Sequence, residues 1–125
     1  MPHPLEHSPA GRLLTEAEAV DLADSMAVFA TASRLRILYA LLDGEHSVEE
    51  LARLAELPSN TVSQQLRVLR TMHFVKVRRD GRRAIYSLHD SHLVDLLEAI
   101  RHHAEHVHPS WATPPAEDRE TEAAR

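Results

Sequence analysis

The stretch 59-SNTVSQQLRVLRTMHFVKVRRDGRRAIYSL-88 decides the fold, because the period of its apolar residues changes half-way. Val62, Leu66 and Leu69 recur at helical spacing, which predicts a helix from Ser59 as N-cap to about Met72. From Phe74 the pattern is that of a strand. Val75 and Val77, then Ala84, Tyr86 and Leu88, alternate with polar residues on either side of Asp80-Gly81. An Asp-Gly between two alternating runs predicts a hairpin in which both turn residues take positive φ.

Working upstream, Glu56-Leu57-Pro58-Ser59 is a tight connector, and Ser47 with Glu50 forms a capping box that opens a short third helix to about Glu56. Two short helices joined this way have the helix-turn-helix layout. A second helix starts at Thr31 or Ser33, turns Leu35, Leu38, Leu41 and Leu42 inward, and ends at Asp43-Gly44. Thr15 and Glu18 cap a first helix reaching about Ala30. Its stripe of Val20, Ala23, Met26, Ala27 and Ala30, widened by Leu22 and Phe29, predicts a well-buried element. Downstream, a fifth helix runs from about Asp90 to Val107 and stops at Pro109, with Leu93, Leu96, Leu97, Ile100, Ala104 and Val107 as its stripe.

The predicted fold is mainly α with a β-hairpin wing (α+β), a winged helix-turn-helix of five helices. Residues 1–14 read as a flexible arm, 15–108 as the folded domain, and 109–125 as a disordered tail with little to bury. A chain of 125 residues has room for one such domain. Hydrophobic residues make up 43% but aromatics 4%, so the core is one of Leu, Ile, Val and Ala. No apolar run is long enough to span a bilayer, and the first residues lack the apolar core of a signal peptide; the expectation is a soluble, cytoplasmic protein. Cysteine is absent, which excludes disulfides and thiolate metal sites.

The net charge of −5 conceals a segregation. Between Ser59 and Tyr86, Arg67, Arg70, Lys76, Arg78, Arg79, Arg82 and Arg83 face one acid, Asp80; this segment is +6 and the remainder −11. A basic stripe on an acidic protein is the footprint of phosphate binding. On the fourth helix Asn60, Ser63, Gln64 and Arg67 share the outer face. Asn and Gln suit adenine, Arg suits guanine, and Ser59, Thr61 and Ser63 serve bases or phosphates. A polar helix face alone is also what any solvated helix shows. Arg78, Arg79, Arg82 and Arg83 around the hairpin tip tilt the balance, since a solvated turn needs no such charge density. The helix would enter the major groove while the wing grips the backbone of double-stranded operator DNA.

These stretches resemble the ArsR/SmtB metal-responsive repressors. The resemblance lies in Thr31-Ala32-Ser33-Arg34-Leu35-Arg36-Ile37-Leu38, in residues 62–70 (VSQQLRVLR) and in residues 79–88 (RDGRRAIYSL), and covers about Thr15 to His108. It implies a homodimer joined through the first and last helices. Gln65 departs from the pattern, many members carrying His there.

Six of the ten histidines fall between His89 and His108. On an ideal helix His92 and His103 lie about 20° apart in projection and His106 about 40° to the other side, so the three share a face. Their axial separation of roughly 16 Å between positions 92 and 103 far exceeds a metal's reach of about 2 Å. One helix cannot close the site, but two antiparallel copies about a two-fold axis can. Asp90, about 160° from His92 on an ideal helix, must act from the N-cap. The resemblance implies the same set: Asp90 and His92 of one chain with His103 and His106 of the partner. Its other common site needs cysteines on the third helix, where residues 45–51 read EHSVEEL.

Three imidazoles and a carboxylate suit zinc or cobalt, and extra ligands allow six-coordinate nickel or cobalt. His108 is close in sequence, and His3 with the terminal amine after loss of Met1 would supply two more nitrogens, with His7 nearby. The resemblance to nickel- and cobalt-sensing members places nickel or cobalt ahead of zinc. The expected function is an apo dimer bound to its operator and released by metal, though the sequence leaves the sign of the metal effect open. The alternatives are a regulator of the same family controlled by a partner protein, a histidine-rich metal buffer, which leaves the basic wing unexplained, and a metallohydrolase, which needs an enclosed pocket and a general base. No enzyme activity is expected.

Overall fold

The computed structural model describes residues 13–111. His3 and His7 lie outside this range, as do most of the arm and tail. Helix α1 (Glu16–Ala27) opens with the expected capping box, Glu18 N–H donating to Thr15 Oγ1 at 3.1 Å and Thr15 N–H to Glu18 Oε1 at 2.9 Å. It ends three residues early, where Val28–Ala30 tighten into a 3-10 turn before the extended Thr31. None of its residues is buried, and Val20, Leu22 and Met26 are about half exposed. Among the described residues of the single chain, this apolar stripe therefore lacks the expected burial.

Helix α2 (Ala32–Leu41) buries Ile37, Leu38 and Leu41. Leu35, expected inward, is half-buried; the helix is rotated so that Arg34 reaches the fourth helix, and Ile37 takes the core position. A two-residue strand, β1 (His46–Ser47), then leads into α3 (Val48–Ala55). Ser47 Oγ accepts from Glu50 N–H at 3.3 Å, and Glu50 Oε1 from Ser47 N–H at 2.9 Å. Glu56 closes α3 in the left-handed region at φ 56°, and Leu57 N–H bonds back to Ala52 O at 2.9 Å. The N-cap of α4 (Ser59–Thr71) is Pro58 rather than Ser59: its extended backbone turns the chain, and Ser59 is already helical.

His73 ends α4 in the left-handed region (φ 62°), its N–H bonding Arg70 O at 3.0 Å and Phe74 N–H bonding Leu69 O at 2.8 Å. Strands β2 (Val75–Asp80) and β3 (Arg83–Leu88) form the wing, with β3 central in the order β1-β3-β2. Asp80 pairs with Arg83, so the turn residues are Gly81-Arg82 rather than Asp80-Gly81. Gly81 has φ 62° while Arg82, the second turn residue, does not have positive φ, which is the pattern of a II′ turn and not the doubly positive one expected. The alternation also shifts: Leu88 is buried as expected, but so is Ile85, while Ala84 and Tyr86 are half-buried. β1 pairs with Tyr86 and Ile85, which makes β3 the inner strand with both edges hydrogen-bonded.

Around Leu51, Ala55, Val62, Leu66, Leu69 and Val75, with Ile37 and Leu38, lies the core that holds α4 and the wing. Phe29 and Phe74 add an edge-to-face contact at 5.1 Å. A second compact unit begins at Asp90. Its helix α5 (Ser91–Val107) buries Leu93 and Leu97 and leaves Leu96, Ile100 and Val107 exposed. A 3-10 turn, Pro109–Trp111, follows where the tail was expected to start.

Candidate nucleic-acid interface and metal ligands

The core face of α4 decides what its outer face displays. With Val62, Leu66 and Leu69 inward, Asn60, Ser63, Gln64 and Arg67 are all exposed, together with Ser59, and Thr61 is half-buried. Asn60 Oδ1 accepts from Thr61 N–H at 2.9 Å, which leaves its amide NH2 available as a donor among the described residues.

The wing arginines divide into two pairs. Arg78 is bound in a fork by Glu45, and its hydrogen bonds hold the Glu45 carboxyl below the ordinary carboxylate range. Arg83 donates to Ser47 Oγ at 2.9 Å and stands 3.5 Å from Glu50 Oε1. Glu50 is itself held low, first by the Ser47 backbone N–H. Arg79 and Arg82 make no ion pair among the described residues. Arg79 and Arg82, on either side of Asp80-Gly81, thus carry unpaired charge beside the turn, while Arg78 and Arg83 are tied to Glu45 and to Ser47 at the start of α3.

Asp90 is the N-cap of α5, as the metal reading required: at φ −158° it is extended, and its Oδ1 accepts from Leu93 N–H at 3.2 Å. The same oxygen lies 3.6 Å from Nδ1 of His92, whose side chain is 93% exposed. These two candidate donors thus converge at one end of the helix. His103 and His106 are exposed near the other end, His106 against His102 with ring centroids 4.6 Å apart. His108 stacks on Trp111 at 4.8 Å. Among the described residues no three His, Cys, Asp or Glu side chains gather into a metal cluster within one chain. The donor chemistry, one carboxylate and three exposed imidazoles, fits a divalent cation.

Residues 31–77 match the model of the bacterial regulatory protein arsR family. The HTH-type transcriptional regulator NmtR of Mycobacterium tuberculosis is 41% identical over 90 residues, spanning 72% of this chain and 75% of that one. The chain belongs to the arsR family. The transcriptional repressor SmtB homolog of Synechocystis is 40% identical over 92 residues, 70% of each chain. Among solved structures, apo-NmtR is similar with TM-score 0.67 and 38% identity over 88% of this chain and 98% of that one. A homodimeric winged helix-turn-helix DNA-binding domain from Mycobacterium bovis matches with TM-score 0.65 and 27% identity over 82% of this chain and 99% of that one.

The protein is thus a winged helix-turn-helix transcriptional regulator of the ArsR/SmtB repressor family, whose members are DNA-binding regulators and not enzymes. In this arsR-family chain Gln65, the departure from the family pattern, accepts a 2.6 Å hydrogen bond from Arg34 Nε. That part-buried bond fastens α2 to the middle of α4 and so fixes how α4 is presented. Sequence reading missed it because Arg34 and Gln65 are 31 residues apart; an arginine on the inward stripe of α2 is the available signal. No described helix is long and apolar enough to cross a membrane.

Proposed function

We propose that a homodimer of this chain binds operator DNA in the absence of metal and is released when a divalent metal, nickel or cobalt ahead of zinc, bridges its last helices. Asp90 and His92 of one protomer, with His103 and His106 of the other, would hold the ion, and His108 is a further candidate. The observation that carries this reading is the placement of donors on α5. Asp90 and His92 meet at its start, and the other two imidazoles stand exposed near its end with no local partner to complete a site. A metal there would supply coordination bonds between two chains, and hence a preference for one dimer shape over another.

The DNA half of the reading follows from α4 and the wing. Gln64 and the Asn60 amide are suited to adenine and Arg67 to guanine, with Ser59, Thr61 and Ser63 at the groove entrance. Arg79 and Arg82 are the free cations for the backbone beside the groove. Half-sites about one helical turn apart would match the dimer's two-fold axis. The protein acts in the cytoplasm in this reading. The sensing is direct, so no partner protein is needed.

The test is equilibrium titration of a duplex, selected from a random pool, with the metal-free protein and with nickel, cobalt or zinc present. A coupling of about 1–3 kcal/mol corresponds to an affinity loss of about 5–150-fold on metal binding. Unchanged affinity with every metal would refute the sensing role and leave the DNA-binding role standing.

A further inference from the structure

Between the C-terminal half of α4 and strand β3 lies an open cleft of about 630 Å³, with Ser63, Arg67, Arg70, His73 and Tyr86 along its walls. We propose that this cleft seats one phosphate of the DNA backbone, with Arg70 as its cation and His73 and the Tyr86 hydroxyl as further donors. The proposal rests on the DNA-binding reading and adds to it a contact that lies outside the residues assigned above.

Three observations converge on a phosphate. The first is position. Ser63, Arg67 and Arg70 are spaced four and three residues apart and share one face of α4. Ser63 and Arg67 belong to the base-reading face, and Arg70 continues it toward the helix C-terminus. A recognition helix that meets bases with its N-terminal residues has its C-terminal half beside the groove wall, where phosphates lie. The wing strand closes the other side through Tyr86.

The second is charge. Arg36, Arg78 and Arg83 all stand against carboxylates. Among the described residues neither Arg67 nor Arg70 has one. An unpaired guanidinium in a polar cleft is matched by a phosphate, which it can bind through two parallel hydrogen bonds.

The third is backbone. His73 occupies the left-handed position that ends α4, where glycine is the usual residue. This turn carries an imidazole to the wall of the cleft, edge-on to His89 at 5.8 Å, where a glycine would offer no donor.

The experiment measures affinity against salt for the full-length dimer, on its selected operator and on a random duplex. The variants are Arg70→Gln and Arg70→Lys, and thermal unfolding of each checks the fold. Losing one phosphate contact flattens the log–log slope by about 0.9, so by about 1.8 for a dimer. The proposal expects that flattening for Arg70→Gln on both duplexes, and a slope close to the unmodified one for Arg70→Lys. A steep slope retained in Arg70→Gln refutes the seat while leaving DNA binding intact. A loss confined to one base position makes Arg70 a base reader and also refutes it. If the unmodified protein binds no duplex, the reading beneath the proposal fails, and the proposal with it. A parallel titration uses inorganic pyrophosphate without DNA. Saturable shifts of the Tyr86 and Arg70 NMR signals at sub-millimolar pyrophosphate would make the cleft a small-anion site and overturn the assignment to DNA.

Discussion

Arg78 and Glu45 form a two-pronged ion pair, Nε donating to Oε2 at 3.1 Å and Nη2 to Oε1 at 3.0 Å. It joins β2 to the segment just before β1 and neutralises an arginine that the sequence groups with the DNA-facing cations. Glu45→Gln should release that charge. The expected outcome is tighter binding to any duplex at low salt, with a salt slope steeper by up to about 0.9 per protomer. Unchanged affinity and slope would mean that Arg78 lies out of reach of the backbone even when free.

The same pair makes a pH prediction. Arg78 hydrogen bonds, opposed by some desolvation, lower the Glu45 carboxyl in the folded state. A depressed folded value stabilises the fold above the ordinary carboxylate range, and that contribution is lost as pH falls through the depressed value. An NMR titration of the Glu45 carboxyl carbon should therefore give a midpoint below the ordinary one, returning upward in Arg78→Gln. A midpoint that stays in place in the variant would show that the fork is not formed in solution.

The two pairs of wing arginines should behave differently. Arg82→Ala, at the tip, should weaken binding to all sequences alike and flatten the salt slope by about 0.9 per protomer. Arg83→Ala removes the bond to Ser47 Oγ, so it should also speed amide exchange at the start of α3. Equal effects of the two variants on exchange would contradict the division drawn from their contacts.

Base reading is tested at Gln64, which is exposed on α4. Gln64→Ala should cost about 1–3 kcal/mol on the selected operator and leave random-duplex binding nearly unchanged. Equal losses on both would make Gln64 a backbone contact.

The cross-protomer metal site predicts complementation. His92→Ala and His103→Ala homodimers should each bind metal poorly. In the mixed heterodimer one site lacks both residues and the other keeps all four ligands. Purified heterodimers should therefore recover close to one tight site, against two in the unmodified dimer. No recovery by isothermal titration would refute the pairing of opposite helix ends.

Much of the fold was legible because its signals are local. Thr15 with Glu18 and Ser47 with Glu50 are capping pairs three residues apart, and both form as the spacing dictates. The inward Val62, Leu66 and Leu69 oriented α4 and thereby its outer face. Asp90 at the N-cap followed from the helix start alone. What tertiary structure decided are the pairings between distant segments. Arg34 with Gln65, Arg78 with Glu45 and Arg83 with Ser47 are separated by 31, 33 and 36 residues. No periodicity encodes such partners, so composition counted four wing cations as equivalent when two are tied down. β1 is two residues long, too short to show alternation, yet its pairing made β3 an inner strand, in which Ile85 is buried. The hairpin turn shifted by one residue for the same kind of reason: strand register, set by cross-strand bonds, chose Gly81-Arg82 over the local Asp-Gly signal. Local chemistry determined which elements form, and long-range packing determined which of their charges remain free to meet DNA.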